Sequence, residues 1–250
     1  MVFGLFSKEK ALQRTIERAT NKLAQQPDRW AALEKLREDG SEAALIGLCR
    51  RFAITSQKGV EDEDEKNWVV RTLVDKREVA LPPLIRYMKS AEQLAFPLRV
   101  LDQIAPRDKV LAVADELFAS EPPGYVRMPE RRIDLLRWFA EWKPATDDEV
   151  VSRITPYVTD FDENVRFAAI DGLGHRDPAK IAPPLIAALL RPEEESGRIK
   201  RAIVEVLERT RAPLGDHAAG VAVRLARRRH RSRGRGTGHD RGRHGAGSAR

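Results

Sequence analysis

Few residues in this chain have the types and spacing that chemistry requires. His175 follows two glycines in the stretch GLGHRD and is the only histidine before residue 215. A metal site in that part of the chain would therefore have to be built mainly from carboxylates. A single histidine beside glycines and an Asp-Pro pair is typical of a tight turn between helices, so we predict that His175 is exposed and binds no metal.

The acidic run EDEDE, residues 61 to 65, is a second candidate because carboxylates bind hard cations. It lacks the alternating spacing and the turn glycine of a calcium-binding loop. We therefore interpret it as a solvated loop whose last charges favour the N-terminus of the helix that follows.

Trp138 and Trp142 are four residues apart and so share one face of a helix. We predict that they pack in the core against the next pair of helices.

Cys49, the only cysteine, excludes an internal disulfide and indicates a reducing compartment. Its neighbours at helical spacing are apolar, which predicts a buried, unreactive thiol.

The net charge of +7 is concentrated at the C-terminus. Residues 224 to 250 contain ten arginines, one aspartate and no lysine or glutamate, whereas residues 1 to 223 carry 35 basic and 37 acidic side chains. This Arg/Gly-rich tail cannot bury enough apolar surface to fold, and it could bind nucleic acid or another polyanion with little selectivity. Lysine vanishes after Lys200, as a GC-rich reading frame shifted by one would produce, so an altered C-terminus is an equal alternative to a functional arm.

The elements that would position these residues are helices, because apolar residues recur at three and four positions and no strict alternation occurs. Most of the joints are short, which predicts antiparallel hairpins. Capping signals mark three starts: Ser90 with Gln93, Thr146 with Glu149, and Asp177 before Pro178. The predicted helices are 8–25, 29–38, 41–53, 66–76, 78–89, 93–104, 107–119, 129–142, 147–158, 163–173, 178–190 and 196–210.

The helices form an internal repeat. The motif LPPLI at residues 81 to 85 returns as APPLI at residues 182 to 186, at a distance of three repeats of about 34 residues. The first large apolar residue of every second helix follows the same period. These residues are Trp30, Trp68, Phe96, Ile133, Val165 and Ile199.

The stretch DENVRFAAIDGL, residues 162 to 173, resembles the HEAT-repeat family, whose pattern D-x-x-V-R-x-x-A-x-x-x-L it matches. Weaker copies are WVVRTL at 68 to 73 and FPLRVL at 96 to 101. The resemblance implies acidic partners for Arg71, Arg99 and Arg166, with Asp75, Asp102 and Asp171 nearby in sequence. As a basic ladder, the same arginines could instead bind phosphates.

The fold expected from these features is all-α, a right-handed α-solenoid of five to six HEAT-like, armadillo-like hairpins. The expected domains are an N-terminal capping helix (1–27), a repeat domain (28–212) and a disordered tail (213–250). The apolar start VFGLF is expected to help cap the first repeat, with contact to a membrane surface as the alternative. No apolar run is long enough to span a membrane.

The expected function is that of a non-catalytic, cytoplasmic scaffold or adaptor, which binds an unidentified protein through exposed faces of the second helices. No catalytic, cofactor-binding or metal-binding residue is predicted. One alternative is a nucleic-acid-associated protein, acting through the tail or through a tryptophan-lined groove similar to that of HEAT-like DNA glycosylases. Another is a lyase-like chaperone for a pigment or cofactor, which would need a polar pocket on the concave face.

Overall fold

A computed structural model of the chain describes the backbone of residues 2 to 221 and the side chains of residues 8 to 221. The regular structure of this part is helical, without a strand, which confirms the all-α class. The chain divides into two compact units, Met1–Leu173 and Gly174–Arg250.

The described part of the first unit contains ten α-helices and three short 3₁₀ helices. The α-helices are α1 (Val2–Ala19), α2 (Gln26–Asp39), α3 (Glu42–Arg50), α4 (Gly59–Lys76), α5 (Leu81–Met88), α6 (Ala95–Ile104), α7 (Arg107–Ser120), α8 (Glu130–Glu141), α9 (Asp147–Ile154) and α10 (Glu163–Leu173). The 3₁₀ helices are η1 (Arg51–Ala53), η2 (Arg77–Ala80) and η3 (Thr155–Thr159).

Each of the twelve predicted helices corresponds to one α-helix of the structure, but three boundaries differ by six residues or more. The first helix runs from Val2 to Ala19, not from residue 8 to residue 25, and α4 begins at Gly59, so that it contains the whole acidic run. Successive even-numbered helices of the chain start 33 to 36 residues apart, in agreement with the predicted repeat.

The even-numbered helices of the first unit pack beside one another in chain order, α2 on α4, α4 on α6, α6 on α8 and α8 on α10. Two hydrogen bonds give the direction of the α6–α8 pair. Asp134 accepts from the backbone N–H of Leu94 at the start of α6, and Trp142 donates to Asp102 near its end. Both pairs are separated by 40 residues, so the two helices run parallel and in register.

The odd-numbered helices α7 and α9 are also parallel. Arg107 bonds Glu149 at 2.7 Å near the starts of the two helices, and Arg153 bonds Asp115 at 2.6 Å further along. A parallel pair of this kind follows when each hairpin repeats the orientation of the one before it.

Helix starts follow the predicted capping signals in two of three cases. Thr146 and Glu149 form a reciprocal capping box at α9, as predicted. The box predicted from Ser90 and Gln93 is wrong, since α6 begins only at Ala95. The Asp134 carboxylate of α8 caps that helix instead, accepting from the N–H groups of Leu94 and Ala95 at 2.8 and 3.1 Å.

Two glycines allow helices of the first unit to approach closely. A Cβ atom on Gly47 in α3 would lie 2.7 Å from Cγ1 of Ile16 in α1, and one on Gly172 in α10 would lie 2.7 Å from Cβ of Ala140 in α8. Gly172 therefore serves the close packing of α10 on α8.

The described part of the second unit contains α11 (Pro178–Leu190), α12 (Gly197–Thr210) and the short 3₁₀ helix η4 (Gly215–His217). Asp177 caps α11 as predicted, accepting from the N–H of Ala179. Helices α11 and α12 pack on each other through apolar faces. Their buried side chains include Leu185, Leu189 and Ile203.

Residues 213 to 221, at the start of the predicted tail, include η4, and Val221 is only 3% exposed. Residues 222 to 250, with most of the tail's arginines, lie outside the described residues, as do the side chains of VFGLF. The interpretations of both segments therefore stay predictions.

Candidate functional site

The acidic run is part of a buried charge cluster. Glu65 is fully buried, and its carboxylate accepts hydrogen bonds from Arg29 of α2 at 2.8 Å and from Arg51 of η1 at 2.7 Å. Asp62 accepts from the same Arg51 and from Lys66, both at 2.7 Å. These bonds join α2, η1 and α4.

Burial alone would raise the pKa of the Asp62 carboxyl. Hydrogen bonds from Lys66, Arg51 and the Ser56 N–H outweigh that effect and lower the pKa to about 2. Arg51 also donates to the carbonyl of Ile54. The cluster's charged groups are thus hydrogen-bonded to one another and to the loop before α4, which is what buried charges need in order to be tolerated.

The interpretation of residues 61 to 65 as a solvated loop is wrong. The partners of Glu65 come from 14 and 36 residues earlier in the chain, and no local pattern reveals them. One signal was present, since Asp62, Glu65 and Val69 share a helical face that is buried along its length. The buried acidic groups of this cluster are paired with Arg29, Arg51 and Lys66, and no metal-binding group of three is found among the described residues.

A second buried pair fixes the loop between α7 and α8. Arg132 donates to Asp160 at 2.8 Å and to the carbonyl of Gly124 at 2.9 Å, and the N–H of Gly124 donates to Asp160. On the surface of this loop, Tyr125 meets Phe161 edge to face, with ring centroids 5.3 Å apart.

Polar and aromatic side chains form a continuous surface on α2, α4, α6 and α8, which we call the even-helix face. On α2 and α4 the rings of Trp30 and Trp68 lie 5.5 Å apart, and the guanidinium of Arg37 lies 5.5 Å above the Trp68 ring. The face comprises Trp30, Arg37, Trp68, Arg71, Phe96, Arg99, Arg137 and Trp138.

The surface continues from α4 to α6. Arg99 donates to the amide oxygen of Asn67 at 3.2 Å, and its guanidinium lies 5.2 Å from the centroid of the Phe96 ring. Arg71 lies one helical turn beyond Asn67 and is exposed. The aromatic rings of the face are half-buried, and its four arginines are exposed. The face therefore combines rigid apolar rings with charged guanidinium groups.

The surface reaches α8 through a pair of tryptophans. Trp142 is 3% exposed and donates to Asp102 of α6 at 2.6 Å. Trp138 is half-buried and stacks on Trp142, with centroids 5.8 Å apart and planes at 22°. Trp142 is therefore buried, as predicted, but its hydrogen bond leads to the preceding even-numbered helix and not to the next pair of helices, and Trp138 reaches the surface.

The acidic partners implied for Arg71 and Arg99 are not found in the described part of the chain. Arg99 bonds an amide and a ring, and Asp102, its expected partner, is already bonded to the Trp142 indole. Arg71 has no carboxylate within 4 Å among the described residues. Arg166 donates to the carbonyls of Asp160 and Phe161.

The remaining single candidates have ordinary surroundings. His175 is exposed in the turn before α11, as predicted. Burial raises the pKa of the Cys49 thiol to about 12, which leaves it protonated and unreactive at neutral pH. Within residues 8 to 221, no three His, Cys, Asp or Glu side chains converge as a metal site would require.

A cleft of about 450 Å³ lies at one end of the even-helix face. Its described lining residues all belong to α2 and include Trp30 and Glu34. The Trp30 ring can contact an apolar side chain, and the nearby Glu34 carboxylate can accept a hydrogen bond from a donor group on that side chain.

No protein-family model, curated protein or solved structure matches the chain. Among the helices of residues 2 to 221, none combines the length and the apolar character needed to cross a bilayer. The geometry of the even-helix face is therefore the main guide to function.

Proposed function

We propose that the chain is a non-catalytic scaffold or adaptor that binds another protein through the even-helix face. The observation that carries the proposal is the composition of that face. Trp and Arg are enriched where proteins bind one another, because they combine large contact area with directed hydrogen bonds. Here each of the four even-numbered helices α2, α4, α6 and α8 supplies at least one half-buried ring and one exposed arginine.

The proposal includes an α-solenoid of HEAT-like hairpins. Its support is the regular start of every second helix, the parallel register of α6 with α8, and the resemblance of residues 162 to 173 to the repeat pattern. In such a stack one row of helices presents a continuous surface to a partner. We place the even-helix face on that row.

The test is capture of partners from the native cell with three versions of the full chain. In the blocked variant, Ala31→Trp and Gln103→Trp add bulk at exposed positions of α2 and α6. In the control, Ala43→Trp and Ala119→Trp add the same bulk at exposed positions of α3 and α7. A protein recovered by the wild type and the control but lost from the blocked variant supports the proposal. Equal recovery by all three contradicts it.

A further inference from the structure

Three exposed arginines recur on consecutive even-numbered helices, Arg71 on α4, Arg99 on α6 and Arg137 on α8. Among the described residues none of them has a carboxylate within 4 Å. A guanidinium carries five N–H donors in a planar fork, and the only described side-chain acceptor for these three is the Asn67 amide. Most of their donors are therefore available to an external acceptor.

The spacing of these arginines fits an extended chain. Packed helices lie about 8 to 10 Å apart, so one arginine per helix places a positive group at steps of roughly that size. A peptide in the extended polyproline II conformation advances about 3.1 Å per residue with three residues per turn, so every third side chain points the same way. Carboxylates about three residues apart along such a peptide would meet successive arginines.

Resting on the proposed function, we infer that the even-helix face binds an extended acidic segment of the partner protein. Its Asp or Glu side chains, about three residues apart, pair with Arg71, Arg99 and Arg137. Its apolar side chains between them lie on the rings of Trp68, Phe96 and Trp138. Arginine–carboxylate pairs give geometric specificity, and the rings supply apolar contact area.

The acidic side chains on the same helices favour a peptide over nucleic acid. Glu141 lies one turn beyond Arg137, and Asp75 lies one turn beyond Arg71, both exposed. A nucleic acid carries a phosphate at every nucleotide and would bring charge against these carboxylates. A peptide with separated acidic residues can place neutral side chains there.

The experiment selects binders from a random 16-residue peptide library with the full-length chain as bait. A synthetic peptide of residues 222 to 250 is present in excess, so that peptides bound only by the arginine-rich tail are removed. Enriched peptides are then measured by fluorescence polarisation against the wild type, a face variant (Arg71→Gln, Arg99→Gln, Arg137→Gln) and a control. The control, Arg14→Gln, Arg50→Gln and Arg127→Gln, makes the same charge change at exposed positions elsewhere.

We expect the enriched peptides to be rich in Asp and Glu, to bind the face variant about tenfold more weakly and the control within twofold of the wild type. Enriched peptides that are not acidic, or that bind the face variant normally, overturn the inference. If peptides that overturn the inference nevertheless fail to bind the blocked variant (Ala31→Trp, Gln103→Trp), they bind at the even-helix face and the proposed function stands. If the blocked variant binds them normally, or no peptide is enriched, both proposals fail.

A 20-nucleotide DNA probe tests the competing ligand in the same assay. Binding that is lost in the face variant and kept in the control would identify a phosphate-binding ladder and overturn the acidic-peptide inference. Equal DNA binding by all three proteins is the expected result, because the tail is unchanged in each.

Discussion

The indole of Trp142 donates a hydrogen bond to the carboxylate of Asp102 at 2.6 Å, across 40 residues of sequence. It joins α8 to α6 at the end opposite the bonds from Leu94 and Ala95 to Asp134. Two bonds at opposite ends of one helix pair fix the register of the pair. The surface that carries Arg99 and Trp138 therefore depends on these bonds.

Removing the Asp102 carboxylate should destabilise the fold. In Asp102→Ala the indole N–H of Trp142 loses its acceptor, and because Asp102 is itself exposed, the loss should cost about 1 kcal/mol. Urea unfolding measures the change. The control is Asp75→Ala, at an exposed position of α4, which should change the free energy of unfolding by less than about 0.5 kcal/mol. Equal values for the two variants would show that the Trp142 bond contributes nothing to stability.

Neutralising Glu65 should have a larger effect, because its carboxylate is fully buried between Arg29 and Arg51. Glu65→Gln leaves two buried guanidinium groups without their shared negative partner, which should cost about 3 kcal/mol. Glu63→Gln makes the same change at an exposed position of α4 and should be nearly neutral. A loss below about 1 kcal/mol for Glu65→Gln in urea unfolding would contradict the structural role of the cluster.

Asp62 should make stability depend on pH in the acid range. The pKa of the Asp62 carboxyl is about 2 in the folded chain and 3.8 in the absence of these contacts, as in the unfolded chain. The unfolded chain therefore binds the proton more tightly than the folded chain. The stabilisation, roughly 2 kcal/mol, is complete above about pH 5 and is lost as pH falls through 4 toward 2.

The variant Asp62→Asn isolates this contribution. The difference in unfolding free energy between the wild type and Asp62→Asn should be largest near pH 6 and should shrink as pH falls below about 4. Asp64→Asn, at an exposed position two residues on, should differ from the wild type by less than about 0.5 kcal/mol at neutral pH. A wild-type advantage over Asp62→Asn that grows on acidification would contradict the assignment.

Gly172→Ala should destabilise the fold although alanine is the better helix former by about 1 kcal/mol. The new Cβ would lie 2.7 Å from Cβ of Ala140, an atom that cannot rotate away, so α8 and α10 would have to separate. We expect a loss of about 1 to 3 kcal/mol in thermal or urea unfolding. Gly59→Ala is the control, since nothing lies within 4 Å of a Cβ there. A Gly172→Ala protein as stable as the wild type would show that the helices do not approach so closely.

The sequence predicted the helices well because their signals are local. Each of these signals involves residues only a few positions apart. Examples are the apolar periodicity, the Thr146 capping box and the Asp177-Pro178 helix start. The errors concern groups whose partners are distant in sequence. Glu65 pairs in the core with Arg29, which lies 36 residues earlier in the chain. The start of α6 is capped by Asp134, which lies 40 residues after Leu94, whose N–H it accepts.

The candidate site was predicted only in outline. Exposed faces of the second helices were expected to bind a partner, and the repeat pattern singled out Arg71 and Arg99. Single-sequence reasoning could not show that the Asp102 carboxylate would be bonded to Trp142 instead of Arg99. That bond engages the carboxylate that the repeat pattern implied for Arg99.

The most direct test of the even-helix face is site-specific photo-cross-linking in the native cell. A p-benzoylphenylalanine is placed at Gln103 on α6, or at the equally exposed Ala119 on α7. We predict a discrete protein adduct from position 103 that weakens with Arg71→Gln and Arg99→Gln, and no such adduct from position 119. An adduct from position 119 but not from 103, or no protein adduct from 103, would contradict the account.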